Sequence, residues 1–186
     1  MKTILYLTQG TPLAKVAAEL AISLARGLEA SITAQFVVDP QLIFELEGFS
    51  GRGLCGSGVF IEAEQQIIVP LVNLGESLLM SFTALAEGQD VSVRQFIDIG
   101  DSAREIAQRA ADSDVVILAG THANSLVARA LLPIFSRTVL LVQSPSEVLL
   151  LEPQASDGEF ASILIEHLAA MNIKLQASKQ IESAAA

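Results

Sequence analysis

The chain has 186 residues, room for one domain of ordinary size and an appendage. Hydrophobic residues make up 51% and the net charge is -10, so buried strands and an apolar oligomer surface are expected, and a cationic nucleic-acid groove is excluded. Arg52 is the one basic residue between Arg26 and Arg94, too little for a polyphosphate backbone.

Cys55 is the single cysteine, which excludes an intrachain disulfide and fits a reducing, cytoplasmic location. With His122 and His167 far apart in sequence, it makes no zinc constellation. No uninterrupted apolar run approaches the roughly 18 residues of a membrane helix, and the N-terminus is too short for a signal peptide, so no membrane role is expected.

The elements alternate. TILYLT at 3–8 reads as a strand. Thr11 then caps a helix with Pro12 at its first position, Val16, Leu20 and Leu24 on one face and Gly27 near its end. ITAQFVV at 32–38 is β-rich and Asp39-Pro40 ends it. A glycine-rich piece leads to a helical stretch at 59–87, which Pro70 is expected to kink or divide. VSVRQFI at 91–97 is the third strand, and Ser102 with Glu105 forms a capping box for a helix with a narrow, alanine-rich face. VVILA at 115–119 and TVLLV at 138–142 are continuous apolar runs, as in strands covered on both faces, with a helix at 125–132 between them.

That order predicts an α/β fold: a doubly wound, parallel, five-stranded sheet with helices on both faces, spanning 1–144. From 145 to 186 the pattern partly restarts. EVLLL at 147–151, a helix from Ser156 to about Met171, and IKLQA form a βαβ unit too small to fold alone.

The opening ILYLTQGT, the segment FVVDP at 36–40, FIDIGDSAREIAQRAADSDVVILAG at 96–120 and TVLLV together resemble the universal stress protein family over about 1–144. The remainder resembles the start of an incomplete second repeat. The resemblance implies the adenine-nucleotide hydrolase-like fold, with any ATP at the carboxyl ends of the strands. Carried onto this chain, the nucleotide or anion site would comprise Gln9, Gly10, Thr11, Val38, Gly120, Thr121, Asn124 and Ser125. The match is damaged. The family's aspartate in the first turn is Gln9, a loop glycine is Ala123, and the loop is shortened so that Asn124-Ser125 stands where Gly-Ser belongs. A phosphate cradle needs converging backbone N–H groups and glycines that permit close approach, so tight ATP binding is not expected. Family members commonly dimerise through the last strand, here 138–142, which implies a homodimer through that edge unless the appended strand covers it or exchanges between protomers.

GRGLCGSG at 51–58 contains G-x-G-x-x-G, but no strand directly precedes it, so the dinucleotide-fingerprint reading fails in favour of a loop. His122 and His167 read as solvated residues, and Ser57 and Ser102 have no evident base. The expectation is therefore a non-enzymatic stress or regulatory protein, with no catalytic or metal residues and no required cofactor. It would act by dimerising and by binding a protein partner or small effector. The alternative is an ATP- or AMP-responsive switch.

Overall fold

The computed structural model describes residues 2–8, 10–40, 57–120, 128, 138–151 and 158–178. In chain order these form β1 (Thr3–Leu7), α1 (Pro12–Leu28), β2 (Ser31–Val38), α2 (Ser57–Glu87), β3 (Val93–Ile99), α3 (Ser102–Ala110), β4 (Val115–Ala119), β5 (Thr138–Ser144), β6 (Glu147–Leu151), α4 (Gly158–Ala170) and β7 (Lys174–Ser178). All strands join one seven-stranded sheet in the order β3-β2-β1-β4-β5-β6-β7. The first five strands pair in parallel, as expected from the sequence.

The C-terminal unit does not stand apart. It extends the same sheet from five strands to seven. A tight turn after Ser144 returns the chain, so β6 pairs antiparallel to β5, with Val139 opposite Leu151 and Val142 opposite Val148. β7 then pairs in parallel with β6, the crossover being α4.

Alternation along each strand separates two cores. Ile4, Tyr6, Ile32, Phe36, Ile117 and Leu140 face one side, where α1, α2 and α4 pack. Leu5, Leu7, Val116, Leu118, Val139 and Leu141 face the other, with Ile106 and Ala110 of α3 and with Ala128. Small residues decide how closely α1 approaches: Ala17, Ala21 and Ala25 are fully buried beneath it. Gly75 does the same for α2, because a Cβ there would lie 2.4 Å from the Phe36 ring.

Several local expectations shift. Asp101, not Ser102, caps α3: its Oδ1 accepts the Arg104 N–H at 2.8 Å. Asp and Ser cap equally well, and the chain uses the earlier residue. Gly27 does not end α1; Glu29 takes the left-handed conformation at the C-cap with φ 49°. Pro70 neither ends nor divides α2, which continues to Glu87. β3 begins two residues later than its apolar pattern, with Val91 buried ahead of it.

By length and composition alone, Gln66–Glu87 of α2 would be long and apolar enough to cross a membrane. The stretch passes because it holds only two charges. In this fold Leu79, Phe82 and Ala86 of the stretch are buried against the sheet, and 17% of its most apolar window is buried in all.

Candidate functional site

From β1 the chain leaves to one side through β2 and β3, and from β4 to the other through β5. The switch point of the topology therefore lies at the carboxyl ends of β1 and β4, where open parallel sheets form a crevice. Four of the eight expected site residues are described there.

Thr8 continues β1, its N–H donating to the Gln35 carbonyl at 2.8 Å. Gly10 is exposed, with nothing within 4 Å of where a Cβ would be. Thr11 caps α1 as expected: its backbone is extended and its Oγ1 accepts the Ala14 N–H at 3.3 Å. Pro12 has no N–H and the first turn has no acidic residue. The positive end of the α1 dipole thus faces the crevice beside an open glycine.

The other two are committed to structure. Val38 is buried, and its carbonyl accepts the Gly100 N–H at 3.0 Å. The Gly120 N–H donates to the Val142 carbonyl at 2.6 Å, and a Cβ at Gly120 would lie 2.5 Å from that oxygen. Glycine is required at 120 because β4 ends directly against β5, whatever the site binds. Gln9, Thr121, Asn124 and Ser125 lie outside the described residues, as do His122, Cys55 and almost all of the glycine-rich stretch at 48–58.

Sequence reading missed the residue that closes the β2 side. Asp39 is buried, and its Oδ2 accepts the Ser102 N–H at 2.8 Å, tying the end of β2 to the start of α3. Its signal was visible as the Asp-Pro that ends the strand, but only the tertiary fold supplies the donor.

Behind the crevice, polar groups are spent on packing. Tyr6 donates its hydroxyl to the Ala14 carbonyl at 2.8 Å and packs its ring on Phe82, with centroids 4.5 Å apart. Burial pushes its hydroxyl pKa up to about 12. Asp98 pairs with Arg109 at 2.8 and 3.0 Å in a two-pronged bond, and the guanidinium stacks 3.8 Å over the Phe96 ring. The hydrogen bonds from Arg109 hold the Asp98 carboxyl below its usual range. Gln35, fully buried, donates to Asp98 at 2.8 Å and to the Glu105 carbonyl at 3.2 Å, while its Oε1 has no partner among the described residues. This network joins β2, β3 and α3. It offers no nucleophile–base pair, and no group of three or more potential metal ligands occurs among the described residues.

His167, expected to be solvated, is half-buried. Its ring lies against α1, Nε2 at 3.1 Å from the Gly27 carbonyl and Nδ1 at 3.0 Å from that of Ile163. A Cβ on Gly27 would stand 2.6 Å from the imidazole, so that glycine admits the docking of α4.

The sequence pattern of the universal stress protein family matches residues 1–151. The chain belongs to that family. No functionally curated protein matches it in sequence. Among solved structures, universal stress protein UspA from Lactobacillus plantarum is similar at TM-score 0.62 and 14% identity, covering 76% of this chain and 97% of that one. A family protein from Burkholderia pseudomallei is similar at TM-score 0.52 and 22% identity, covering 77% and 96%. The universal stress protein from Archaeoglobus fulgidus in complex with dAMP is similar at TM-score 0.50 and 12% identity, covering 77% and 98%. These likenesses cover about three quarters of this chain and nearly all of each relative.

The expected dimer edge meets an obstacle in this fold. β5 is paired on both sides, by β4 and by β6, so no second chain can pair with 138–142 unless β6 leaves.

Proposed function

We propose that this universal stress protein is non-catalytic and acts in a stress or regulatory response through self-association and binding of a partner or small effector. Its nucleotide site has lost the phosphate cradle. The observation that carries this reading is the fate of the backbone donors at the switch point. Gly120 gives its N–H to Val142, Ser102 to Asp39 and Ala14 to Thr11, and Pro12 has none. These donors among the described residues are therefore not free to converge on anionic oxygens. Gln9 and Ala123 in place of the family's aspartate and glycine support the same conclusion. The lone cysteine supports a reducing, cytoplasmic setting.

A second reading, an ATP- or AMP-responsive switch, is favoured by one feature: the α1 N-terminus has no acidic residue in its first turn and opens onto Gly10. The Archaeoglobus relative that shares the fold was solved with dAMP. Calorimetric titration with AMP and with Mg-ATP, up to about 1 mM, where ~4 kcal/mol of binding is visible, separates the two. No heat and an unchanged melting temperature support the first reading. Saturable binding that Gly10→Glu abolishes supports the second, because that substitution adds a carboxylate where there is open space. Gly120→Val is not a usable control, since its side chain would collide with β5.

A further inference from the structure

The C-terminal unit meets the rest of the chain at a polar joint between two helices. α4 buries Leu164 and Leu168 in the core beside α1, and the His167 ring stands where the two helices touch. Its Nε2 is 3.1 Å from the Gly27 carbonyl oxygen and its Nδ1 is 3.0 Å from that of Ile163. Gly27 lets the ring sit against the α1 backbone, since a Cβ there would lie 2.6 Å from Cδ2 and 3.0 Å from Nε2.

The chemistry of this joint decides its proton count. A carbonyl oxygen can only accept, and a neutral imidazole carries one N–H and one lone pair. Either neutral tautomer therefore sets a lone pair 3.0 or 3.1 Å from a carbonyl oxygen. Only the imidazolium, with a donor on each nitrogen, makes both bonds.

The backbone around the ring favours that charge. At the end of α1 the Ala25 and Arg26 carbonyls take the N–H groups of Ala30 and Glu29. Gly27 lies in the same last turn, and its carbonyl is left for the ring. His167 is itself in the last turn of α4. The ring thus lies at the negative ends of two helix dipoles.

Side-chain charges do not tip the balance. No carboxylate among the described residues pairs with the ring. On α1, Glu19 pairs with Lys15 at 4.0 Å, Arg26 bonds Gln89 at 3.4 Å, and Glu29 is exposed. Glu166 on α4 and Lys174 on β7 are exposed. Ahead of β1, Lys2 lies 5.2 Å over the Phe160 ring, and ahead of β4, Asp114 accepts the Thr3 N–H at 2.8 Å. Cations and carboxylates are equal in number here, so the field at the ring is set by the carbonyls it touches.

We propose that His167 is a proton-dependent latch. Protonated, it fastens α4 and β7 to the universal stress protein domain; on losing a proton it gives up one of its two bonds, and the unit opens locally. The docked ring uses both of its protons, whereas water serves either form of an undocked ring. Docking therefore favours proton uptake, so the latch is closed in mild acid and loosens as pH rises through the range where histidines change charge, about 5 to 8. β7 pairs with β6 and has no outer neighbour among the described residues, so the unit can open without breaking the strands from β1 to β6. This regulation goes beyond the nucleotide question, because none of its parts lies in the crevice.

The test uses the full chain in a His122→Asn background, which leaves His167 as the single imidazole. Hydrogen exchange read by mass spectrometry, corrected for the intrinsic pH dependence of amide exchange, follows residues 158–178 from about pH 5.5 to 8. His167→Gln is the reference, because its amide donates at any pH and does not titrate. Protection of 158–178 relative to that reference should fall at least about threefold as pH rises, while β1 and β4 keep theirs. Gly27→Ala, whose methyl displaces the ring, should flatten the fall although the histidine is still present. Relative protection that stays constant or rises with pH overturns the proposal. So does a fall that persists in Gly27→Ala, which would place the titration away from the joint. A loss shared equally by β1 and β4 overturns it too, because release of the unit alone leaves their ladder bonded.

Discussion

At one end of the sheet the chain pairs its own β5 edge and extends the layer by two strands. β6 folds back on β5, α4 lays Leu164 and Leu168 into the core beside α1, and β7 becomes the outer strand. At the other end β3 has no outer neighbour among the described residues, and the helix beside it exposes large apolar side chains. The first end takes up the expected dimer strand within one chain. The second has outward backbone groups on β3 beside exposed apolar side chains and the carboxylates Glu76 and Glu87 of α2. Adding a βαβ unit to one end thus moves the outer strand there from β5 to β7.

The largest effect should come from undoing that addition. Deleting residues 145–186 uncovers β5 and removes Val148, Leu150, Leu164 and Leu168 from the core. Light scattering should then show a higher oligomer or aggregate, formed through the reopened edge. A well-behaved assembly of unchanged stoichiometry would show that the two ends are not the alternatives drawn above.

Single core substitutions should follow in size. Leu168→Ala, at a fully buried site on α4, should cost about 2–5 kcal/mol in urea unfolding. The exposed Met80→Ala on α2 should cost less than ~0.5 kcal/mol in the monomer. Equal effects would mean that the covered end is no better packed than the open one. At the hinge between the regions, Gly27→Ala places a methyl 2.6 Å from the His167 ring. It should cost about 1–3 kcal/mol by displacing the imidazole, and His167→Ala in the same chain should relieve part of that clash. Tyr6→Phe, which removes the hydroxyl bond to Ala14, should cost about 1 kcal/mol.

The smallest effect concerns acid, and it marks the β3 end. Arg109 lowers the Asp98 pKa below 3.8 in the folded protein, so the pair stabilises the fold above the ordinary aspartate range. That contribution is lost as pH falls through the lowered folded value. The stability difference between the wild type and Asp98→Asn should therefore be constant near neutrality and close in strong acid. A difference that instead grows as pH falls below 4 would contradict the assigned pairing.

Much of this was legible in the sequence because it rests on local chemistry. Short, β-branched apolar runs at 115–119 and 138–142 fit strands buried on both faces, and Thr11-Pro12 ahead of an amphipathic stretch fits a helix start. Val38 and Gly120 show the limit. The family pattern named both as site residues, but their backbone groups bond Gly100 and Val142, partners that are distant in sequence. The same holds for Asp39, whose role depends on Ser102 arriving at the end of β2.

The sequence by itself determined the order of strands and helices, the parallel core, the family and the α1 cap. Each of these follows from residue type and spacing within a few turns of chain. Tertiary structure alone decided that the C-terminal unit joins the sheet antiparallel, that His167 meets Gly27, and that β5 is interior while β3 and β7 are the outer strands. Those outcomes depend on which apolar surfaces find each other across many residues, and hydrophobic burial carries no local signature of its partner.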